Sequence, residues 1–262
     1  MSTVATHPPG TLCWSELGTT DVPAACRFYS SLFGWETVEV PLPDGAPPYL
    51  MFQLRGRDVC ALYELRPELR AQGVPPHWLG YLATDDVDET VAKVRAAGGA
   101  VQAAPFDVME HGRMAVVTDP TGATVAFWQA RQHVGTRVED EAGAPVWFEL
   151  MTTDAARAAD FYGRAVGWRV EELPMGTFVY HLLFAGERRA GGMMQMGPEF
   201  GGMPSHWMIY FQVKDCDAAA RRCAELGGTV AVPPSDIPGT GRFAVLRDPQ
   251  GAVFSIIRLE SM

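Results

Sequence analysis

The sequence lacks a segment that would span a membrane or direct secretion. No run approaches the roughly 18 consecutive apolar residues of a membrane-spanning helix. Residues 1–9 contain neither the basic cluster nor the apolar stretch of a secretory signal. These absences predict a cytoplasmic protein with no membrane partner.

Basic residues and paired cysteines are also scarce. Lys and Arg number 21 against 31 Asp and Glu, which gives a net charge of -10. Nucleic acids and anionic membrane surfaces require clustered positive charge, so this balance argues against both as partners. The five cysteines are odd in number and include no C-x-x-C pair, which argues against a disulfide framework and a thiolate zinc site. The expected partner is a small molecule, bound by a monomer or a homodimer.

What the sequence does contain is an internal repeat. The octet from Trp14 to Asp21 returns 133 positions later, from Trp147 to Asp154. Further matches follow at an offset of 129, among them Gly112-Arg113 with Gly241-Arg242, and Asp119-Pro120 with Asp248-Pro249. A chain of 262 residues is long enough for two compact domains of about 120 residues each. We therefore predict a first domain over 1–131, a linker over 132–144 and a second domain over 145–262.

Each copy repeats one structural plan twice. Asp21 followed by Val22-Pro23 predicts the start of a helix, and Gly34 is placed to end it. Short strand-like runs separated by turn residues follow this helix. A second helix, capped by Asp86, and three more strands complete the copy. The predicted fold class is α+β, with two βαβββ units in each copy.

Four such units in tandem resemble the vicinal oxygen chelate superfamily. The resemblance also rests on the repeated Phe-Tyr, Gly-Trp and Asp-Pro-x-Gly motifs, and it covers residues 11 to 259. That superfamily includes glyoxalase I, extradiol dioxygenases and the bleomycin and fosfomycin resistance proteins. The resemblance implies that each pair of units forms an open, cup-shaped mixed β-sheet, with helices outside and the reacting molecule inside. Because one such scaffold carries many chemistries, the resemblance predicts the fold more sharply than the reaction.

Residue parity predicts which side chains face the cups. Successive side chains of a strand point to opposite sides, and Val146, Phe148 and Leu150 are apolar residues expected to pack under the helices. Aromatic walls on the other side would suit a planar or extended apolar ligand. The predicted substrate-binding residues are Trp14, Leu79, Ala126 and Trp128 in the first cup, and Trp147, Met208 and Ser255 in the second.

The resemblance also identifies where metal-dependent relatives carry their ligands. In this chain the three positions hold Trp14, Leu79 and Ala126 in the first copy. The second copy has Trp147, Met208 and Ser255. Tryptophan, leucine and alanine side chains do not coordinate divalent cations. We therefore predict no metal ion and no other cofactor.

A second set of residues lies two positions away on the same faces. If the first two ligand positions lie opposite each other on antiparallel strands, Glu16 and His77 come together. The same geometry would pair Glu149 with His206. A carboxylate beside an imidazole, with a tyrosine nearby, is an acid–base set that needs no metal. The predicted catalytic residues are Glu16, His77 and Tyr81 in the first copy, and Glu149, His206 and Tyr210 in the second.

Other interpretations of these residues stay open at the level of sequence. Each Glu–His pair can be a structural hydrogen bond that closes the mouth of its cup. It can also supply two ligands of a displaced metal site, for which no third ligand is evident. Arg113 and Arg242 can hold an anionic ligand, but such residues are more often solvated or paired with the neighbouring aspartate of the Asp-Pro turn.

The hypothesis that these residues favour is a metal-independent enzyme. It would act on a small aromatic or polycyclic metabolite by isomerisation, elimination or cyclisation. One alternative is a protein that binds and sequesters such a molecule without catalysis. A second alternative is a metal-dependent lyase or dioxygenase. Whether a cup closes within or across copies, and whether both cups are active, does not follow from the sequence.

Overall fold

The computed structural model describes residues 4–41 and 49–260, in which each copy forms an eight-stranded sheet with helices on one side. The elements of the first copy are β1 (Leu12–Thr19), α1 (Val22–Phe33), β2 (Glu36–Val40), β3 (Tyr49–Leu54), β4 (Arg57–Glu64), α2 (Pro67–Ala71), β5 (His77–Ala83), α3 (Val87–Ala96), β6 (Ala100–Val108), β7 (Gly112–Thr118) and β8 (Thr124–Ala130). Those of the second copy are β9 (Pro145–Thr152), α4 (Ala155–Val166), β10 (Arg169–Met175), β11 (Phe178–Ala185), β12 (Arg188–Gln195), β13 (His206–Gln212), α5 (Cys216–Glu225), β14 (Thr229–Ile237), β15 (Gly241–Arg247) and β16 (Val253–Leu259).

Each cup closes within one copy. The strand orders are β2-β3-β4-β1-β5-β8-β7-β6 in the first sheet and β10-β11-β12-β9-β13-β16-β15-β14 in the second. β1 pairs in parallel with β4 and antiparallel with β5, so the two βαβββ units of a copy join at β1 and β5. These are the mixed, unclosed sheets of two tandem domains that the sequence predicts. The short helix α2, which no periodicity in the sequence indicated, begins at Pro67 between the units.

The predicted helix boundaries are confirmed where aspartate and glycine mark them. Asp21 and Asp154 precede α1 and α4, and in each case an Oδ1 atom accepts a backbone N–H three residues on at 3.0 Å. The same helices end at Gly34 and Gly167, both with φ of 74°, a left-handed conformation that glycine adopts without a steric cost.

Within residues 4–41 and 49–260, no helix combines the length and apolar character needed to cross a membrane.

A single apolar core lies between the helices and the convex faces of both sheets. It includes the outward-facing Phe148 and Leu150 of β9, which are 1% and 0% exposed. The Phe-Tyr pairs of α1 and α4 enter the same core. Because residues of both copies share it, the two domains are packed as one body.

Two hydrogen-bonded chains cross between the copies through this core. Trp207 Nε1 donates to the hydroxyl of Tyr162 at 2.9 Å, and that hydroxyl donates to Asp119 Oδ2 at 3.0 Å. The reciprocal chain has two links of 3.0 Å and consists of Trp78, Tyr29 and Asp248. The repeated Phe-Tyr and Asp-Pro-x-Gly motifs therefore join one copy to the other.

Candidate functional site

The concave face of the first sheet carries a separate buried cluster. The predicted substrate-binding residues of this copy all belong to it: Trp14, Leu79, Ala126 and Trp128. Residue parity placed them on this face, and the sheet brings them together. The three positions that correspond to metal ligands in metal-dependent relatives therefore converge at the floor of the cup.

The concave face of the second sheet has a smaller buried cluster. Met208, Tyr210 and Ile257 form it, and Trp147 packs against them. Ser255 is fully buried and lies beside Tyr210 in the ladder between β13 and β16. The predicted residues of the second cup thus share one face as well.

A carboxylate held by two tyrosines lies on the floor of the second cup. Glu149 Oε1 accepts the hydroxyl of Tyr180 at 2.6 Å, and Oε2 accepts the hydroxyl of Tyr210 at 2.6 Å. Trp147 Nε1 donates to the Tyr180 oxygen at 2.9 Å. Hydrogen bonds to an ionised carboxylate are shorter and stronger than those between neutral groups, and these lengths fall in that range.

The first cup repeats this arrangement. The hydroxyl of Tyr81 donates to Glu16 Oε2 at 2.6 Å, and that of Tyr49 donates to Oε1. Trp14 Nε1 donates to the Tyr49 oxygen at 3.1 Å. The duplication has therefore kept a Trp–Tyr–Glu–Tyr cluster in each cup.

One tyrosine in each cluster was not predicted from the repeat or from residue parity. Tyr49 and Tyr180 lie on β3 and β11, two strands away from the glutamates. They correspond at an offset of 131, between the two offsets that the clearest repeats follow. Matching tyrosines across the copies after allowing for the length change between them would have identified the pair.

Burial sets the electrostatics of both clusters. Desolvation raises the pKa of Glu16 and of Glu149, and the hydrogen bonds from the tyrosines partly oppose this rise. Burial and the adjacent carboxylate together hold the pKa of Tyr81 and of Tyr210 well above the usual range. The phenols therefore remain protonated donors, while each glutamate is a stronger base than one in water.

The predicted pairing of glutamate with histidine is wrong. β1 and β5 are antiparallel, as that prediction assumed, but Glu16 lies opposite Leu79 and His77 lies opposite Gly18. The register differs by two residues from the assumed one. This shift keeps every side chain on its face but places His77, the first residue of β5, opposite Gly18 instead of Glu16. Its Nδ1 lies 2.8 Å from the carbonyl oxygen of Pro75.

The second cup departs from the prediction in the same way. Met208 lies opposite Glu149, and His206 lies opposite Met151. His206 Nδ1 is 2.9 Å from the carbonyl oxygen of Pro204. A catalytic role for the two histidines stays a prediction that this geometry does not favour.

The residues of the cups do not fit the metal of the metal-dependent relatives. The convergent positions carry indole, aliphatic, thioether and hydroxyl groups instead of imidazole and carboxylate. Within the described residues, no group of three or more His, Cys, Asp or Glu side chains is placed to hold a metal ion. A displaced site built on Glu16 and His77 has no third ligand there.

The linker makes the two cups unequal. His133 packs edge-on against Trp14 with ring centroids 4.6 Å apart, and its backbone oxygen accepts Trp128 Nε1 at 2.9 Å. Trp14 is 4% exposed beneath it, whereas the corresponding Trp147 is half-buried. Burial lowers the pKa of His133 to about 4, so its imidazole is neutral at physiological pH. One end of the first cup is therefore covered by the chain itself.

The repeated arginines do not face the cups. Arg113 binds Asp88 and Asp107, with Nε 2.7 Å from Asp88 Oδ2. Arg242 binds Asp217 and Asp236 in the same manner. Neither arginine pairs with the aspartate of the Asp-Pro turn, because that aspartate is buried between the copies and accepts a tyrosine hydroxyl of the other copy.

A family profile and several known proteins are similar to this chain in sequence. The profile of the family described as Glyoxalase/Bleomycin resistance protein/Dioxygenase superfamily matches residues 11–127 and 144–256. A protein of Mycobacterium tuberculosis (strain CDC 1551 / Oshkosh) named "Putative glyoxylase CFP32" is 44% identical over 250 residues, which cover 95% of each chain. The "Anthracycline biosynthesis protein DnrV" of Streptomyces peucetius is 37% identical over 261 residues, covering 96% of this chain and 94% of the other.

Solved structures with low sequence identity share the fold. The Mn(II)-bound glyoxalase from Novosphingobium aromaticivorans has a TM-score of 0.67 at 18% identity, over 97% of this chain and 83% of the other. The 2,3-dioxygenase LapB from Pseudomonas sp. KL28 has a TM-score of 0.66 at 13% identity, over 98% and 94%. The family profile, which matches both copies, and the relatives that span nearly the whole chain establish its membership. The chain belongs to the Glyoxalase/Bleomycin resistance protein/Dioxygenase superfamily.

Proposed function

We propose that the chain is an enzyme that acts on a small aromatic or polycyclic metabolite by metal-independent acid–base chemistry. Isomerisation, elimination and cyclisation are the reaction types that this chemistry serves. One observation carries the proposal: a buried glutamate, held between two tyrosine hydroxyls on an aromatic concave face, occurs in both copies. The name of the Streptomyces peucetius relative, an anthracycline biosynthesis protein, supports a polycyclic aromatic ligand.

The cluster of the second cup can transfer a proton without any added group. Ionised Glu149 holds the hydrogens of both phenols, and burial raises its pKa, which makes it the better base. Once it has taken a proton from an acidic C–H or O–H of the substrate, its own O–H can donate to Tyr180 or Tyr210. That tyrosine is then free to turn its hydrogen towards a substrate oxygen, where negative charge has developed. His206 has no part in this path.

The second cup is the better candidate for the working site. Its Trp147 is only half-buried, which favours stacking of a planar ligand on this residue. In the first cup, the imidazole of His133 already contacts the corresponding Trp14. We therefore assign turnover to Glu149 and regard Glu16 as its partly covered counterpart.

A binding protein without catalysis is the second candidate. Both oxygens of Glu149 already accept hydrogen bonds from the protein, which is also what a purely structural buried carboxylate requires. In that case the cup would hold an aromatic ligand and leave it unchanged. A metal-dependent lyase or dioxygenase would need ligands that the convergent positions do not supply.

The test uses anthrone, a planar tricyclic ketone with an acidic methylene group. Deuterium exchange of this methylene in D2O, followed by proton NMR, reports proton abstraction directly. We expect the protein to accelerate exchange and Glu149→Gln to reduce the acceleration by about 100-fold or more. Glu225→Gln, a change at an exposed residue of α5, is the matched control and should leave the rate unchanged.

The outcomes separate the candidates. Tight binding of anthrone with no accelerated exchange would favour the binding protein. Loss of the acceleration after dialysis against a chelator, with recovery on adding a divalent ion, would favour the metal-dependent alternative. Equal acceleration by wild type and Glu149→Gln would refute the role assigned to this carboxylate.

A further inference from the structure

Within residues 4–41 and 49–260, neither Glu16 nor Glu149, the two cup carboxylates, has a cationic partner. Every Lys, Arg and His of the sequence lies within the described residues. The ion pairs formed there involve other acidic residues and leave out Glu16 and Glu149. The pKa of each glutamate responds only to burial and to hydrogen bonds from aromatic side chains. A buried carboxylate without a counter-charge takes up a proton more readily, and a cation bound beside it stabilises its ionised form.

His77 and His206 lie on the cup faces, but the Nδ1 atom of each is at hydrogen-bond distance from a proline carbonyl oxygen at the strand end. The repeated arginines point away from the cups. Arg242 is the second residue of β15, and its guanidinium binds Asp217 of α5, on the helix-covered side of the sheet, with Nε 2.6 Å from Oδ2. Arg113 binds Asp88 of α3 in the equivalent place. Both repeated arginines thus neutralise aspartates outside the cups, and neither offers a charge to an anionic ligand inside.

The hydrogen bonds of the second cluster also have a common direction. Trp147 N–H points to the Tyr180 oxygen, and both phenol hydrogens point to Glu149. With the carboxylate ionised, each of these polar hydrogens is already used within the cluster. The phenol oxygens keep lone pairs, so they can accept hydrogen bonds from a ligand but donate none. A ligand that meets this surface must bring the hydrogens.

A protonated amine supplies both the positive charge and the hydrogen-bond donors that the cluster lacks. It supplies positive charge to the carboxylate, up to three N–H donors to the phenol oxygens, and a cation for the ring faces of the tryptophan and tyrosines. A carboxylate or phosphate would instead face acceptors only, beside a like charge. The overall charge of -10 opposes anions in the same direction.

We propose that the cups select aromatic ligands that carry a protonated amine and reject those that carry an anionic group. This deepens the function proposed above and rests on it, since both place the ligand against the same Trp–Tyr–Glu–Tyr cluster. The second cup is the principal site. The first cup has the same cluster, but His133 covers its Trp14 and leaves less space for a ligand.

Three anthracene probes test this selection with constant ring size. They are 9-(aminomethyl)anthracene, its neutral N-acetyl derivative and anthracene-9-carboxylate, and their affinities at pH 7 are measured by calorimetry and by tryptophan quenching. We expect the amine to bind at least about tenfold more tightly than the N-acetyl compound, and the carboxylate to bind more weakly than both.

The matched variants separate local charge from net charge. Glu16→Gln/Glu149→Gln removes both cup carboxylates and should reduce the preference for the amine to less than about threefold. Continued binding of the N-acetyl probe shows that the cups of this variant are still folded. The control, Glu89→Gln/Glu225→Gln, removes the same two charges from exposed helix positions and should keep the tenfold preference.

The results distinguish this inference from the proposed function. Equal binding of the three probes, or a preference for the carboxylate, overturns the selection for amines and leaves the proposed site intact. An amine preference that survives the removal of both cup glutamates also overturns it. Failure of every probe to bind the wild-type protein counts against both the selection and the proposed aromatic ligand.

Discussion

Tyr162→Phe should destabilise the protein strongly, although it removes a single oxygen atom far from either cup. Tyr162 is 1% exposed and its hydroxyl links Trp207 to Asp119 across the two copies. The substitution removes a hydrogen bond to a buried carboxylate, worth about 1.5–3 kcal/mol. It also leaves the Trp207 N–H buried without an acceptor, which costs about 1–3 kcal/mol. We expect the free energy of unfolding to fall by about 3–5 kcal/mol.

Urea unfolding followed by tryptophan fluorescence and circular dichroism measures this change. Tyr29→Phe breaks the reciprocal chain and should cost a similar amount, because its links to Trp78 and Asp248 have nearly the same lengths. Tyr63→Phe is the control. Tyr63 is half-buried and its hydroxyl makes no hydrogen bond within the described part of the chain, so less than about 0.5 kcal/mol should be lost. If Tyr162→Phe costs no more than this control, the chains between the copies do not contribute to stability.

Three further perturbations test the electrostatics described above. Because burial raises the pKa of Glu149, the folded protein keeps a proton at pH values where the unfolded chain has lost it, and stability should fall as pH rises through the raised pKa. Glu149→Gln should flatten this fall, measured by urea unfolding at a series of pH values. The pKa of His133 is shifted in the opposite direction, to about 4, so stability should rise with pH between about 4 and 6.5. His133→Gln should remove this contribution to the rise. Arg242→Gln breaks ion pairs with exposed aspartates, which contribute little to stability, so the urea midpoint and the probe binding should both stay close to those of the wild type. A loss of binding would place Arg242 in the ligand site.

Local signals in the sequence are sufficient for most of the fold. Helix starts at Asp21 and Asp154 are determined by hydrogen bonds between residues three apart, and the glycine ends by backbone conformation. The inward placement of Trp14 and Trp147 follows from strand parity alone, since alternation needs no knowledge of the neighbouring strand. The repeat then extends each of these predictions to the other copy.

The contents of the site depend on relations that the sequence does not encode locally. A shift of two residues in the pairing of β1 with β5 keeps every side chain on its predicted face. Parity therefore does not reveal that Glu16 and His77 are not opposite each other. Tyr49 reaches Glu16 from a strand two places away, and that neighbour is known only from the order of the sheet. The covering of Trp14 by His133 likewise depends on the path of a linker without periodicity.

At the boundary between the copies, the tyrosine of each copy is hydrogen-bonded to the aspartate of the other. This reciprocal pattern is that of a twofold dimer interface. Such an interface is self-complementary, because each partner offers the group that the other one binds. A single-copy protein with both motifs could build it from two chains, at a cost that depends on concentration. Joining the copies makes the second contact intramolecular and fixes its effective concentration, whatever the abundance of the protein. In a fused chain the two halves no longer need to have the same sequence. The linker can therefore cover the first cup while the second cup stays accessible.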